Sequence, residues 1–402
     1  MTLVLLLLAI VIAGAFLMLE RFRLDRCRNT IALRISVTGT RGKSSVTRML
    51  ASVLREDGRR VLAKTTGSEA AYILPDGSER KIHRRGRPSI MEQKRLIQMG
   101  AAMGVDTVVA EIMSIHPENH IVETHQLLQP HMVLVTNFRV DHTSAMGTTP
   151  DEMAQVMALD VAEGAKVFVP QLECLPAFRR AVENRQNPTN RAVIDIPPDT
   201  GKESVGENTL SGEFSENLDL VCAVAKSLDV GSEAIRDGIE QTRRDIGALA
   251  VWRYRPAGDE GSYLLVNAFA ANDPASTMIV YDKVLTLLGT DPSTCIGLMN
   301  LRHDRGDRTL QWTEALADGW LGRFKRLYLC GRHAQAVKQR LQRLDGASRI
   351  EVLRSGRPAA MTQAVVSEIR ETGGVVFGFG NIGEVGQTLL DHWREVSEPL
   401  EI

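Results

Sequence analysis

A glycine turn between a strand and a helix constrains the fold of this chain more than any other feature. The segment IALRISVTG (31–39) is typical of a buried strand, and SSVTRMLASVLREDG (44–58) has the apolar spacing of a helix that ends at Gly58. The turn between them directs successive backbone N–H groups and a helix N-terminus toward one point, which is how proteins bind phosphate. This order predicts an α/β fold with a mostly parallel sheet.

The turn, GTRGKS, is a contracted P-loop, because Val37 stands where an ordinary P-loop has a glycine. We expect Lys43 to reach the terminal phosphates of a nucleotide and the Ser44 hydroxyl to hold Mg²⁺. A plain glycine turn with a surface lysine is the alternative, and the strand–turn–helix order disfavours it. The predicted nucleotide-binding residues are Gly39, Thr40, Arg41, Gly42, Lys43, Ser44 and Ser45.

The N-terminus carries an uncharged apolar run at residues 2–19, close to the ~20 residues that cross a bilayer as a helix. Arginines follow the run and no basic residue precedes it, so the positive-inside rule places the body of the protein in the cytoplasm. We therefore predict a single-pass anchor over residues 1–20, in the cytoplasmic membrane. A cleaved signal peptide with AGA (13–15) as its cleavage site is the alternative, but the positive n-region of such signals is missing.

Charge and cysteine content exclude several classes of protein. The 48 basic and 49 acidic residues give a net charge of −1, so no nucleic-acid partner is expected. The five cysteines include no CxxC pair, which favours a reducing compartment over a disulfide framework. The stretch HPENHIVETH (116–125) lacks the HExxH order, so we predict no zinc site there. A length of 402 residues with 44% apolar content favours two domains.

Two further predicted strands end in polar residues. DTVVAEIMS (106–114) ends near Glu111, and HMVLVTNFRVDH (131–142) is followed by Asn137 and the pair Asp141–His142. The carboxyl ends of parallel strands meet at one edge of the sheet, where such sheets bind ligands. Taken with GTRGKS, these segments resemble the Mur ligases and folylpolyglutamate synthases, which are ATP-dependent amide-forming enzymes.

That resemblance implies ATP and Mg²⁺ as cofactors, with one or two metal ions and Mn²⁺ as an alternative. It implies Lys43, Glu111 and His142 as the catalytic residues. Ser44, Glu111 and His142 would be metal ligands, with His142 at a second ion. It also implies that Asn137 positions the acceptor carboxylate, and that Asn217, in GEFSENLDLVCAVAKSL (212–228), lies on the helix that contacts adenine.

The second half of the chain narrows the resemblance. YLLVNAFAANDPASTM (263–278), LMNLRHDRGDRT (298–309) and VVFGFGNIGEVG (375–386) are similar to the catalytic ligase subunit of poly-γ-glutamate synthases, the CapB/PgsB type. The resemblance implies a Mur-ligase-like ATP-binding domain over 21–254 and a smaller Rossmann-like α/β domain over 255–402. The substrate-binding residues expected from it are Asn267, Asn272, Asp273, Arg302, Asp304, Arg305 and Arg308.

The expected function is an ATP-dependent ligase that activates the terminal carboxylate of a poly-γ-glutamate chain and adds glutamate, making a capsular or secreted polymer. Small integral-membrane subunits of the CapC/PgsC and CapA/PgsA type are the partners that the resemblance implies. The sequence leaves open whether the chain forms a homo-oligomer. A folylpolyglutamate-synthase-like ligase and a P-loop ATPase that regulates a membrane assembly are the alternatives.

Two other motifs have competing interpretations. KIHRRGRPS (81–89) contains Arg84, Arg85 and Arg87, which form either a solvated loop or a track for the carboxylates of the polymer. GFGNIG (378–383) matches the dinucleotide-binding GxGxxG pattern. However, too little chain follows it for the remaining helix and strand of a Rossmann unit. We therefore do not predict an NAD-dependent enzyme.

Overall fold

The computed structural model describes residues 2–67, 70–84, 86–185, 192–195, 215–243, 247–256, 261–304, 306–354, 356–370 and 373–400. These residues form two compact units, the first ending at residue 243 and the second starting at residue 247. Each unit is built around its own sheet. The predicted residues Arg85 and Arg305 lie outside the described part of the chain.

The sheet of the first unit has a parallel centre. Its described strands are β1 (Leu33–Thr38), β2 (Val61–Thr65), β3 (Ala71–Ile73), β4 (Glu79–Lys81), β5 (Thr107–Glu111), β6 (Met132–Val135), β7 (Lys166–Phe168) and β8 (Val193–Asp195). They are arranged in the order β4-β3-β2-β5-β1-β6-β7-β8, and only the pairings of β3 with β2 and β4 are antiparallel. Because β1 lies between β5 and β6, the carboxyl ends of these three strands meet at a reversal of strand order.

Helices cover this sheet. In the first unit they are α1 (Thr2–Asn29), α2 (Lys43–Glu56), α3 (Met91–Met103), α4 (Pro117–Ile121), α5 (Thr143–Met146), α6 (Pro150–Met157), α7 (Pro176–Arg185), α8 (Ser215–Ser227) and α9 (Ser232–Glu240). A π-helical segment, Val122–Leu128, continues α4. Helix α2 buries its apolar side chains against the sheet and against α8 and α9. This packing fixes the N-terminus of α2 directly after β1.

Helix α1 has two parts with different surroundings. Its first part, residues 2–19, has apolar side chains that are exposed, and it is long and apolar enough to cross a membrane by length and composition. Its last part packs against α3 and buries Leu24 and Arg28. The guanidinium of Arg28 donates to the backbone oxygen of Gln126 at 2.5 Å. The helix therefore extends nine residues beyond the predicted anchor and is joined to the first unit by its C-terminal end.

The second unit has its own mixed sheet. Its described strands are β9 (Ala250–Tyr254), β10 (Tyr263–Asn267), β11 (Cys295–Leu301), β12 (Arg326–Gly331), β13 (Ile350–Val352), β14 (Gly374–Phe379) and β15 (Ser397–Leu400), in the order β13-β12-β11-β14-β10-β9-β15. The helices are α10 (Pro274–Leu288), α11 (Gly306–Ala317), α12 (Ala334–Leu341), α13 (Pro358–Ser367) and α14 (Val385–Val396). The predicted α/β class with mostly parallel sheets is confirmed.

The predicted domain boundary after residue 254 stays a prediction. Strand β9, which precedes it, pairs antiparallel with β10, and Val251 lies opposite Val266. Strand β15 covers the other edge of β9. These pairings place β9 in the sheet of the second unit.

Candidate active site

The loop after β1 depends on two glycines with positive φ. Gly39 (φ 124°) lies so close to the start of the loop after β6 that a Cβ atom there would be 2.0 Å from Oγ1 of Thr136. Gly42 (φ 82°) immediately precedes α2, and a Cβ there would be 2.6 Å from Oδ1 of Asn217. Only glycine combines this backbone conformation with such close approach. The buried side chain of Asn217, the predicted adenine contact, thus lies against the loop.

Asn137 fixes the loop to the end of β6. Its Oδ1 accepts from the backbone N–H of Arg41 at 3.1 Å, and its Nδ2 donates to the backbone oxygen of Arg41 at 3.0 Å. The backbone N–H of Thr40 donates to the oxygen of Asn137 at 3.1 Å, and the Thr40 hydroxyl donates to the oxygen of Arg139 at 2.7 Å. In this structure the side chain that we predicted to position substrate makes its hydrogen bonds to the loop.

Lys43 begins α2 and turns back over the loop. Its Nζ donates to the backbone oxygen of Gly39 at 2.6 Å. Burial lowers the pKa of the Lys43 ammonium, and the negative charge of Glu111 opposes that effect. A lysine held across a loop of this kind places its charge where phosphate oxygens would lie.

Ser44 and Glu111 meet between α2 and β5. The Ser44 hydroxyl donates to Oε2 of Glu111 at 2.8 Å. The backbone N–H of Thr66 donates to the same oxygen at 2.7 Å, and the Thr66 hydroxyl donates to Oε1 at 2.7 Å. Glu111 is 2% exposed. A hydroxyl and a carboxylate at this distance provide the oxygen ligands that Mg²⁺ and Mn²⁺ prefer, so this donor set fits a divalent cation.

Asp141 and His142 lie on the other side of the loop. His142 has a left-handed backbone (φ 49°), and its N–H donates to Oδ1 of Asp141 at 2.9 Å. The guanidinium of Arg41 is 3.3 Å from Oδ2 of Asp141. A pocket of about 130 Å³ opens here. Its wall includes Gly39, Lys43, Ser114, His120, Asp141 and His142. The structure thus brings Lys43 and His142, two of the predicted catalytic residues, to one pocket.

Sequence reasoning missed a buried hydrogen-bonded chain behind this pocket. Nδ1 of His120 is 2.8 Å from Oδ1 of Asp160, and the Thr38 hydroxyl donates to Oδ2 of Asp160 at 2.5 Å. Burial by itself would lower the pKa of His120, but the Asp160 carboxylate outweighs it and raises this pKa. In the sequence, His120 was notable only as one of the histidines of HPENHIVETH (116–125), a stretch that lacks the HExxH order of zinc sites.

The basic cluster at 81–89 is partly paired. Arg84 donates to both oxygens of Glu92, at 2.7 and 3.0 Å. The buried Lys64 ammonium is 3.3 Å from Glu92. Burial would raise the pKa of Glu92, but these two cations outweigh it and lower this pKa. Arg87 is exposed, and Arg85 lies outside the described residues.

The described substrate residues predicted in the second unit lie at or after the carboxyl ends of β10 and β11. Asn267 donates to the oxygen of Ala248 at 2.9 Å. Asp273 caps α10 by accepting from the N–H of Ser276 at 2.8 Å. The other four described residues also make hydrogen bonds nearby. Arg302 donates twice to Asp304 (2.8 and 2.6 Å), Arg308 donates to Asn381 (3.2 Å), and Asn272 accepts at its backbone oxygen from Trp312 (3.1 Å).

Comparisons with known proteins agree with this architecture. The family described as "Mur ligase middle domain" matches residues 37–193, and "Poly-gamma-glutamate synthase CapB C-terminal domain" matches residues 253–396. The chain is 30% identical over 307 residues to the capsule biosynthesis protein CapB of Bacillus anthracis, covering 75% of this chain and 65% of that protein. It is 30% identical over 296 residues to the PGA synthase CapB of Bacillus subtilis (strain 168), covering 73% and 74%.

Solved structures agree on the fold. A bifunctional folylpolyglutamate synthase/dihydrofolate synthase from Yersinia pestis, solved with AMPPNP and Mn ion, superposes with a TM-score of 0.67 at 13% identity, covering 93% of this chain and 92% of that one. MurF from Acinetobacter baumannii gives a TM-score of 0.61 at 16% identity, covering 93% and 79%. The chain therefore belongs to the CapB family of poly-γ-glutamate synthases, ATP-dependent ligases that share the Mur ligase fold.

Proposed function

We propose that this protein is an ATP-dependent amide ligase that extends poly-γ-glutamate by adding glutamate to the terminal carboxylate of the chain. One observation carries the proposal. In a CapB-family chain, a phosphate-type loop bearing Lys43 lies beside a Ser44–Glu111 pair that fits a divalent cation. The names of the two Bacillus relatives, a capsule biosynthesis protein and a PGA synthase, support the same product.

A carboxylate does not react with an amine at neutral pH, because oxide is a very poor leaving group. In the proposed reaction the γ-phosphoryl group passes from ATP to the carboxylate, so that ADP and an acyl phosphate form. The amine nitrogen of glutamate attacks the acyl carbon, phosphate leaves, and the proton of the amine goes to solvent. Catalysis then depends on alignment of the reactants and on neutralising the charge of the transferred group.

Each residue of the first unit has a role in this scheme. The loop amides and Lys43 would hold the phosphates of ATP, and Asn217 would lie toward the nucleoside. Ser44 and Glu111 would hold Mg²⁺, with Mn²⁺ as the alternative ion; the cation supplies neutralisation of charge on the phosphate oxygens. His142 would hold a second ion or the acceptor carboxylate. Asn137 would keep the loop in shape through its two hydrogen bonds to Arg41.

We further propose that two groups of arginines bind different substrates, one the growing chain and the other the incoming glutamate. Arg84, Arg85 and Arg87 would hold the carboxylates of the growing chain. Arg302, Arg305 and Arg308 would receive the incoming glutamate, together with Asp304 and the asparagine-rich turn after β10. The bidentate pairs of Arg84 with Glu92 and of Arg302 with Asp304 imply that substrate carboxylates compete with these partners.

The membrane anchor and the partners are also proposals. Residues 2–19 of α1 would cross the cytoplasmic membrane and keep the ligase on its cytoplasmic side, where ATP is available. Small integral-membrane subunits of the CapC/PgsC and CapA/PgsA type would carry the polymer, since one helix cannot enclose a conduit.

The test uses the full chain, purified in detergent, with ATP, Mg²⁺ and either D- or L-glutamate. We expect ADP formation that depends on glutamate, and γ-linked oligomers by mass spectrometry. Lys43→Ala should remove nucleotide turnover while the protein stays folded, because the charge at the phosphates is lost. ADP release unaffected by glutamate would favour the P-loop ATPase alternative. ADP release dependent on a folate substrate would favour the folylpolyglutamate-synthase-like alternative.

A further inference from the structure

His120 is a buried imidazole in the wall of the pocket beside the phosphate-type loop. It is 1% exposed. One ring nitrogen, Nδ1, lies 2.8 Å from Asp160. Among the residues that the structure describes, the other ring nitrogen, Nε2, has no hydrogen-bond partner. A buried polar atom without a partner is costly, so this nitrogen needs an explanation.

The surroundings of His120 determine whether Nε2 donates or accepts a hydrogen bond. Asp160 accepts from the Thr38 hydroxyl at 2.5 Å and, as a carboxylate, accepts from Nδ1–H as well. Burial disfavours the charged form of the ring, but Asp160, with a smaller contribution from Glu123, outweighs burial and the charge of Lys43, so the pKa of His120 is raised. A charged imidazole carries a proton on both nitrogens. In that form Nε2 is a hydrogen-bond donor, and none of the residues that the structure describes accepts from it.

We propose that His120 is a substrate-binding residue whose Nε2–H donates to an anionic oxygen held in the pocket beside Lys43. This inference rests on the proposed ligase function and identifies the ligand by its chemistry: a carboxylate oxygen of the acceptor or an oxygen of the γ-phosphoryl group. Asp160 is a positioning residue, because it holds Nδ1 of the ring and favours its charge, and the Thr38 hydroxyl in turn donates to Asp160. A charge-assisted hydrogen bond of this kind is stronger than one between neutral groups.

The experiment measures binding by the full chain in detergent, by calorimetric titration with Mg·ADP, Mg·AMPPNP and tri-γ-glutamate. In His120→Ala we expect the affinity for AMPPNP or for tri-γ-glutamate to fall about tenfold or more, while the affinity for ADP is unchanged. Weaker AMPPNP binding would identify an oxygen of the γ-phosphoryl group as the atom that accepts from Nε2–H. Weaker tri-γ-glutamate binding would identify a carboxylate oxygen of the acceptor instead. His120→Gln should stay within about threefold of wild type, because the amide still donates.

The matched control is His125→Ala. His125 lies in the π-helical segment after α4, and its Nε2 is 2.9 Å from the backbone oxygen of Leu159, so its loss removes a hydrogen bond behind the pocket. We expect unchanged affinities in this variant. If His120→Ala does not fold, Asp160→Asn serves instead: it keeps the side-chain shape, removes the charge that favours the charged ring, and should weaken the same probe.

Three results would overturn the proposal. The first is a His120→Ala protein that binds AMPPNP and tri-γ-glutamate within twofold of wild type. The second is His120→Gln binding as weakly as His120→Ala, since the donor would then not be what the ligand requires. The third is normal binding with turnover lost in both variants, which would make His120 a proton acceptor. A wild-type chain that makes no polymer would instead refute the ligase function, because the AMPPNP titration does not depend on it.

Discussion

Gly42 is the single residue whose replacement best separates backbone strain from damage to the nucleotide site. Its φ is +82° and a Cβ would meet Asn217, whereas Gly58 at the other end of α2 has φ +84° and open space around it. A left-handed alanine costs about 1–2 kcal/mol at either position. We therefore expect both Gly42→Ala and Gly58→Ala to lower the free energy of unfolding in urea. Only Gly42→Ala should also weaken Mg·AMPPNP binding, by about tenfold or more, because the loop must move away from Asn217.

Equal AMPPNP affinity in the two glycine variants would contradict the expectation that the collision moves the loop. The collision at residue 42 would then be absorbed by the Asn217 side chain without moving the loop amides. Asn217→Ala gives the reference for an internal control, because Asn217 is itself proposed to lie toward the nucleoside. If the collision is the cause, Gly42→Ala should lower the affinity less in the Asn217→Ala background than in wild type.

The sequence alone predicts the position of some residues at the candidate site but not of others. Lys43 and Ser44 were predictable because the loop, its strand and its helix are contiguous in sequence. Glu111 was predictable because it ends a strand, and parallel strands end at one edge. His120 was not, since its partner Asp160 lies 40 residues away and only packing brings the two together. For the same reason the pairing of Arg84 with Glu92 could not be anticipated within a cluster of similar charges.

Helix α1 is the element whose two ends should behave differently in experiment. Leu17 is 62% exposed and Leu24 is 6% exposed, although both lie on the same helix. We expect Leu24→Ala to lower the free energy of unfolding in detergent by about 2–3 kcal/mol, because a buried leucine loses its contacts. Leu17→Ala should leave that free energy unchanged. Deleting residues 2–19 should release the protein from the membrane fraction without destabilising it.

The α1 prediction fails if Leu24→Ala and Leu17→Ala have the same effect on unfolding. In that case the C-terminal part of α1 would not pack on α3 in detergent, and the anchor would be a flexible tether. A truncation that destabilises the body would mean instead that residues 2–19 contact the body and stabilise it. The three measurements therefore separate a tether from a helix that is fixed to the first unit.

Elements with strong local patterns were predictable, and elements set by distant pairing were not. The predicted strand at 31–39 corresponds to β1 (Leu33–Thr38), and the predicted helix at 44–58 corresponds to α2 (Lys43–Glu56). By contrast, the position of β9 in the sheet of the second unit is evident only from its antiparallel pairing with β10 and β15. Helix α4 also continues into π-helical geometry at Val122–Leu128, and the spacing of the apolar residues does not predict this change.

The five cysteines of the chain fall into two classes by burial. Cys27 and Cys174 are half-buried, and the other three cysteines are buried; none of the five forms a disulfide. Burial raises the pKa of Cys222 to about 11, and those of Cys295 and Cys330 to about 12. The thiolate is the reactive form, so these three should be inert in the folded protein.

These two classes allow a test of membrane topology on the protein in its own membrane. Arginines follow the apolar run of α1, so we expect from the positive-inside rule that Cys27 and Cys174 lie on the cytoplasmic side. A membrane-impermeant maleimide should label no cysteine in right-side-out spheroplasts. It should label Cys27 and Cys174 in inside-out vesicles, and all five cysteines after denaturation. Cys174→Ser should halve the labelling of the vesicles, and labelling in intact spheroplasts would instead place the ligase outside, where it has no ATP.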